Sequence, residues 1–128
     1  TPLFTEGTTR PIVITCSAAP IERRRRAGEV ADVFVAGDDT VDLTVALAEL
    51  ADCGAQVVTC EGGPRLNGDL LAADLIDEWA LTLSPLLVGG DAVRAAHGAG
   101  GHPPRGYELE RILEGDGLLL TRWVRSPG

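Results

Sequence analysis

The residues best suited to chemistry stand in direct succession: an acid, two glycines and a proline. Glu61, Gly62, Gly63 and Pro64 follow the apolar run 56–60, whose β-branched residues favour a short buried strand. The two glycines allow backbone conformations and close approaches that other residues do not. Proline suits the first position of a helix, where its missing N–H costs no hydrogen bond. The pattern therefore predicts a strand, a diglycine turn and a helix.

The chemistry that this corner offers is anion binding. The free N–H groups of Arg65 and Leu66 and the positive end of the helix dipole point at whatever lies over the turn, and phosphate is the usual occupant. The alternative is a tight turn that only packs a helix onto a sheet. The stretch contains neither a Rossmann GxGxxG nor a P-loop. Glu61 would end its strand where open α/β sheets place ligands, so it either binds a polar ring or sugar hydroxyl, or caps a neighbouring N–H.

Other catalytic patterns are missing from the sequence. His97 and His102 lie in a loop rich in glycine and proline, without a cysteine at zinc-ligand spacing, and no serine occupies a GxSxG motif. The acidic pairs 38–39 and 77–78 stand at predicted element boundaries, where capping and solvation explain them. We therefore predict neither a metal site nor an acid–base catalytic residue.

The elements that position the corner alternate between strand and helix through the first half. We predict strands at 12–16 and 33–36 and a helix at 20–28. A second helix takes its N-cap from residues 38–40 and ends before Gly54. With 56–60 and the helix from Pro64, the strand–helix pair occurs three times, which implies a largely parallel sheet.

The second half changes character. We predict a strand at 79–85, then strands at 107–113 and 117–125 joined through residues 114–116 as an antiparallel hairpin. The prediction for residues 1–128 is one α/β domain with a mixed sheet, parallel strand–helix units first and an antiparallel hairpin last.

Composition narrows the class of protein. A chain of 128 residues that is 45% hydrophobic can form a core. The net charge of −8 argues against a general nucleic-acid surface. No apolar run approaches the ~20 residues that span a bilayer, and neither terminus resembles a secretory signal. These features predict a soluble, cytoplasmic protein.

Two further residue groups have open interpretations. The basic run Arg23–Arg26 either complements the negative end of a helix dipole or contacts a phosphorylated ligand. Cys16, Cys53 and Cys60 are odd in number and lack CxxC spacing, so we expect free, buried thiols in a reducing compartment.

The stretch VVTCEGGPRLNGDLLAADLIDEWALTLSPLLVGG (57–90) resembles the bacterial riboflavin-biosynthesis reductases, the RibD C-terminal family of the dihydrofolate-reductase-like fold. In that family a strand runs into an E-G-G-x-x-L-x-G-x-L-L helix, an Asp-Glu turn and a strand ending in S/T-P-x-L-L-G-G. Residues 10–20, 108–113 and 117–125 share the resemblance more loosely.

The resemblance implies roles for individual residues. Glu61 would contact the substrate pyrimidine, and Thr15 and Ser17, beside Cys16, would lie against the adenosine half of NADPH. Arg23 or a neighbour would meet its 2′-phosphate. The pyrophosphate and nicotinamide side would be wrapped by residues of the diglycine turn and the following helix: Gly62, Gly63, Pro64, Arg65, Leu66, Asn67, Gly68 and Asp69. Asp69 departs from the family, which usually has a small neutral residue there.

The activity that the resemblance implies is hydride transfer from NADPH to the ribose C1′ of 5-amino-6-(5-phosphoribosylamino)uracil, which gives the ribitylamino product. Reduction of a pterin, or nucleotide binding without catalysis, are the alternatives. The resemblance also implies a homodimer, and it places this chain in the carboxyl-terminal portion of the family domain. We therefore expect the 128 residues alone to be inactive.

Overall fold

The computed structural model falls into two compact units, Thr1–Thr59 and Cys60–Gly128. The residues that the structure describes are 7, 9–91, 94–98 and 104–126.

The first unit contains two parallel strands, β1 (Ile12–Thr15) and β2 (Asp32–Val35), and two helices, α1 (Ile21–Gly28) and α2 (Leu43–Asp52). The β-branched residues of the strands form a ladder in which Ile12 lies opposite Asp32 and Thr15 opposite Val35. These bounds confirm both predicted strands and the predicted helix at 20–28. Since the strands are parallel, their carboxyl ends lie at the same edge.

The start of α2 differs from the prediction. Its N-cap is Asp42, not a residue of 38–40, and one carboxylate oxygen of Asp42 accepts hydrogen bonds from the backbone N–H groups of Thr44 at 2.9 Å and Val45 at 3.1 Å. Gly37 has a φ of 90° and begins the turn that delays the helix. The predicted stop is confirmed, because Gly54 follows the C-cap with a φ of 91°.

The second unit contains α3 (Pro64–Ala72) and three antiparallel strands, β3 (Glu78–Leu83), β4 (Tyr107–Gly115) and β5 (Leu118–Arg125). The strand order is β3-β5-β4, so the last strand lies in the middle of its sheet. The predicted hairpin is present, but its turn is at residues 116–117 rather than 114–116.

The predicted strand 56–60 is wrong for this structure. Val57 is 86% exposed and Val58 47% exposed, and no described strand pairs with them. A strand requires a neighbour for its backbone hydrogen bonds, and β-branched composition alone does not supply one. The single mixed sheet predicted from the sequence is accordingly two sheets, one parallel and one antiparallel.

A guanidinium anchors the hairpin to the segment after α3. Arg125 donates from Nη2 to the carbonyls of Asp74 and Ile76, both at 2.8 Å, while the carboxylate of Asp74 accepts from Arg105 at 3.0 Å. Tyr107 also donates to the Ile76 carbonyl at 2.9 Å, and partial burial raises the pKa of its phenol. These contacts hold the segment after α3 against β4 and β5.

The three cysteines are free, as predicted, but Cys53 and Cys60 are exposed rather than buried. Burial of Cys60 depended on the strand that does not form.

In the part of the chain that the structure describes, no helix is long and apolar enough to cross a membrane.

Candidate functional site

The diglycine turn leads directly into α3. Gly63 is the N-cap and Pro64 occupies the first turn, as predicted, and the N–H of Asn67 donates to the Gly63 carbonyl at 3.0 Å. Among the described residues, the N–H groups of Arg65 and Leu66 have no backbone partner. The helix therefore begins with unsatisfied donors at its positive end, which suits an anion.

The backbone of the turn requires glycine at its first position. Gly62 has a φ of 79°, in the left-handed region, and its peptide bond to Gly63 is cis. A Cβ on Gly62 would come within 2.9 Å of the Asn67 side-chain nitrogen, whereas a Cβ on Gly63 would meet no atom of the described residues within 4 Å. One glycine is thus closely packed by the helix that follows, and the other faces open space. Glu61, immediately before the turn, is exposed.

Asn67 and Gly68 contact a segment that sequence reasoning did not connect with them. Asn67 donates from Nδ2 to the Ala95 carbonyl at 2.9 Å, and the N–H of His97 donates to the Pro64 carbonyl at 2.7 Å. A Cβ on Gly68 would lie 2.7 Å from the carbonyl carbon of His97. The sequence feature that could have revealed this contact is Gly68 itself, because a glycine inside a helical pattern often marks the close approach of another backbone.

The remaining predicted positions of this unit lie at its surface. Asp69 is exposed on α3, and a Cβ on Gly98 would lie 3.8 Å from its carboxylate oxygen. Cys60 donates to the Asn67 side-chain oxygen at 3.7 Å. The diglycine turn, the first turns of α3 and residues 94–98 therefore form one contiguous group.

Thr15, Cys16 and Ser17 form a second group, in the first unit, at the carboxyl ends of β1 and β2. The Ser17 hydroxyl donates to the carbonyl and to the carboxylate of Asp38, both at 3.2 Å, and the Ser17 N–H donates to the Gly37 carbonyl at 2.9 Å. The Thr15 carbonyl accepts from the N–H of Ala36 at 2.8 Å. These bonds join the loops that follow the two parallel strands, and parallel sheets of this kind bind ligands at that edge.

The arginine run lies within α1, with Arg25 and Arg26 in its last turn. Arg25 pairs with Glu22 at 3.2 Å and with Glu29 at 3.0 Å. The positive charge at the carboxyl end of the helix agrees with the dipole interpretation of these residues.

The profile of the RibD C-terminal domain matches residues 1–113. The chain belongs to the RibD C-terminal domain family. Two relatives are named 2,5-diamino-6-ribosylamino-4(3H)-pyrimidinone 5′-phosphate reductase. The protein from Methanothermobacter thermautotrophicus is 39% identical over 66% of this chain, and the one from Aquifex aeolicus is 35% identical over 70%. The matches span 39% and 41% of those relatives' lengths.

Solved structures of RibD-related proteins share the fold. A pyrimidine reductase-like protein from Corynebacterium diphtheriae superposes with a TM-score of 0.78 at 22% identity, over 92% of this chain and 51% of its own. RibD from Acinetobacter baumannii gives a TM-score of 0.73 at 19% identity, over 98% of this chain and 35% of its own. The predicted dihydrofolate-reductase-like α/β class is confirmed.

Proposed function

We propose that the full-length protein is an NADPH-dependent reductase of riboflavin biosynthesis, which reduces the ribosylamino group of a phosphorylated aminopyrimidine. The observation that carries this proposal is the turn at Gly62 and Gly63. It leads into α3 directly after an exposed Glu61, and the N–H groups of Arg65 and Leu66 have no backbone partner among the residues that the structure describes. The names of the family relatives support the same activity.

The residues present fit the phosphate part of such a cofactor. Backbone N–H groups at a helix start bind phosphate without a side-chain cation, and the open space beside Gly63 admits it. We assign pyrophosphate contact to Gly62, Gly63, Arg65 and Leu66, with Pro64 shaping the turn. When bound, a nicotinamide cofactor supplies the hydride.

The adenosine half is assigned to Thr15 and Ser17. The Ser17 hydroxyl and the Asp38 carboxylate, 3.2 Å apart, offer polar groups for ribose hydroxyls at the strand ends. The NADPH preference and a 2′-phosphate contact by Arg23 are part of the same proposal.

Glu61 is assigned to the substrate. Its carboxylate is exposed beside the turn, where it can accept hydrogen bonds from ring or exocyclic N–H groups. Such a residue orients the acceptor relative to the donor, and orientation is the main contribution that this set of residues can make to hydride transfer.

Two substrates are candidates. The resemblance in sequence implies 5-amino-6-(5-phosphoribosylamino)uracil, whereas the relatives are named for the 2,5-diamino-pyrimidinone. The two rings differ at position 2, where the uracil has an oxygen and the diaminopyrimidinone has an amino group. A carboxylate acceptor such as Glu61 suits the amino group.

The test follows nicotinamide absorbance in the full-length protein with NADPH and each pyrimidine, and with dihydrofolate in parallel. We expect oxidation with a pyrimidine, and the faster of the two identifies the substrate. Faster oxidation with dihydrofolate would transfer the assignment to a pterin reductase. Binding of NADPH without oxidation would indicate a nucleotide-binding module.

The role of Glu61 has a separate test. Glu61→Gln removes the charge and one acceptor at nearly constant size, so kcat/KM for the pyrimidine should fall about tenfold or more, while the Kd for NADPH should change little. Glu108→Gln makes the same change at an exposed position on the face of β4 opposite to that of Leu109 and should affect neither. Equal losses in substrate use and cofactor binding in Glu61→Gln would contradict the assignment.

We likewise propose that the full-length protein is a homodimer and is located in the cytoplasm. One face of the antiparallel sheet carries five large apolar side chains that are 37–53% exposed: Leu81, Leu83, Leu109, Ile112 and Leu119. Sedimentation of the full-length protein should give the mass of two chains, and the mass of one would contradict the dimer.

A further inference from the structure

Three residues on one face of α3 contact the backbone of residues 95–97. Asn67 lies three positions after Pro64 and Gly68 lies four after it, and this spacing puts helical residues on one face. The Pro64 carbonyl accepts from His97 at 2.7 Å, and Asn67 donates to the Ala95 carbonyl at 2.9 Å. Gly68 leaves the space that the His97 carbonyl group occupies. This face is therefore covered by the chain itself.

Asn67 also borders the diglycine turn on its other side. A Cβ on Gly62 would lie 2.9 Å from Asn67 Nδ2 and 3.1 Å from Asn67 Oδ1. The same side-chain oxygen accepts from Cys60 at 3.7 Å, in the segment that enters the turn. The Asn67 amide is thus in contact with the turn and hydrogen-bonded to residue 95.

We infer that Asn67 and Gly68 are positioning residues, which dock residues 95–97 on the first turns of α3 and so hold the diglycine turn for its anion. They contribute to NADPH binding through this docking rather than by direct contact. The inference rests on the proposed function for the identity of the anion, but the docking itself does not.

The first test uses Gly68→Ala in the full-length protein, with hydrogen exchange of the peptide that contains residues 94–98 as the readout. The added methyl would overlap the backbone of His97, so the docked segment should lose its protection from exchange. The helix should persist, because alanine is a better helix former than glycine. Gly98→Ala is the matched control, since its Cβ would make only ordinary contacts, at 3.8 Å, with the Asp69 carboxylate and the Gly68 backbone. Unchanged protection in Gly68→Ala overturns the docking.

The second test distinguishes positioning from direct contact. Asn67→Ala and Gly68→Ala should each raise the Kd for NADPH about tenfold. The double variant should be no weaker than either single one, because both remove the same docking. Losses that multiply in the double variant, or a weaker Kd in Asn67→Ala with normal exchange at 94–98, would show direct contact and overturn the inference. Cys53→Ala, at an exposed cysteine outside this group of residues, should leave both readouts unchanged.

The outcomes separate this inference from the proposed function. Failure of the unaltered protein to bind NADPH refutes the cofactor assignment and the anion role of the docking, while the exchange measurement still decides the docking. Binding of NADPH together with unchanged exchange in Gly68→Ala refutes the docking alone.

Discussion

At the scale of single residues, the hairpin turn between β4 and β5 shows how backbone conformation selects residue type. Asp116 has a φ of 54° and Gly117 a φ of 74°, so both central residues of the two-residue loop are left-handed. This is the turn whose twist matches that of the flanking strands, and aspartate followed by glycine is among its preferred sequences. The register on either side of the turn therefore depends on these two residues.

Gly117→Ala should lower the free energy of unfolding by about 1 kcal/mol, because a side chain is disfavoured in the left-handed region. The effect should come from the backbone, since the new Cβ would make only an ordinary contact with Pro85 at 3.9 Å. Gly117→Asn should cost less, because asparagine tolerates this conformation. Gly115→Ala is the control, since its Cβ would meet no atom within 4 Å in the described part of the chain and its φ is not left-handed. Urea unfolding measures all three, and equal losses at positions 115 and 117 would contradict the argument.

At the scale of elements, a charged row crosses the three antiparallel strands. Arg122 of the central strand β5 hydrogen-bonds Glu78 of β3, with Nε 2.9 Å from the carboxylate, and pairs with Glu110 of β4 at 2.6 Å. The hydrogen bond from Arg122 lowers the pKa of Glu78 below its ordinary 4.5. The same contact raises the pKa of Arg122. One guanidinium thus ties both outer strands to the middle one.

The lowered pKa of Glu78 fixes the direction of a pH effect. A carboxylate that is more acidic in the folded state stabilises the fold above its unfolded pKa, and this contribution is lost as the pH falls through the folded value. The stability difference between the unaltered protein and Glu78→Gln should therefore be largest above pH 4.5 and shrink below it. Because the pair is exposed, salt should also reduce the difference. Denaturant unfolding at several pH values measures it, with Glu114→Gln as the control. A difference that grows toward low pH would contradict the assignment.

The elements also show what a sequence can and cannot predict. Helices α1 and α3, both parallel strands and the hairpin were predictable, because caps, prolines and hydrophobic patterns act within a few residues. The strand predicted at 56–60 does not form, because a strand depends on a distant partner as well as on its own residues. At the site, Pro64 and the diglycine turn were predicted from local rules. The contact between Gly68 and His97 joins positions far apart in sequence, and only the fold reveals it.

At the scale of the whole molecule, apolar side chains are concentrated on exposed segments that have no described strand partner. Val57 is 86% exposed, and the run 86–88 contains Leu86 at 75%, Leu87 at 103% and Val88 at 85%. Clustered exposed apolar residues mark surfaces that other protein normally covers. The matches to the relatives span 39% and 41% of their lengths, so a full-length family member has further chain available for this purpose.

The 128-residue chain should therefore bind a hydrophobic dye such as ANS and self-associate with rising concentration, because clustered apolar surface is removed from water in both processes. Leu87→Lys should reduce both effects by interrupting the run 86–88. Ile21→Lys is the matched control: Ile21 is also 72% exposed, but it stands alone beside the charged residues of α1, so this change should have little effect. Full-length protein should bind less dye per chain. Equal reductions by the two substitutions would show that total apolar exposure, rather than its clustering at 86–88, controls association.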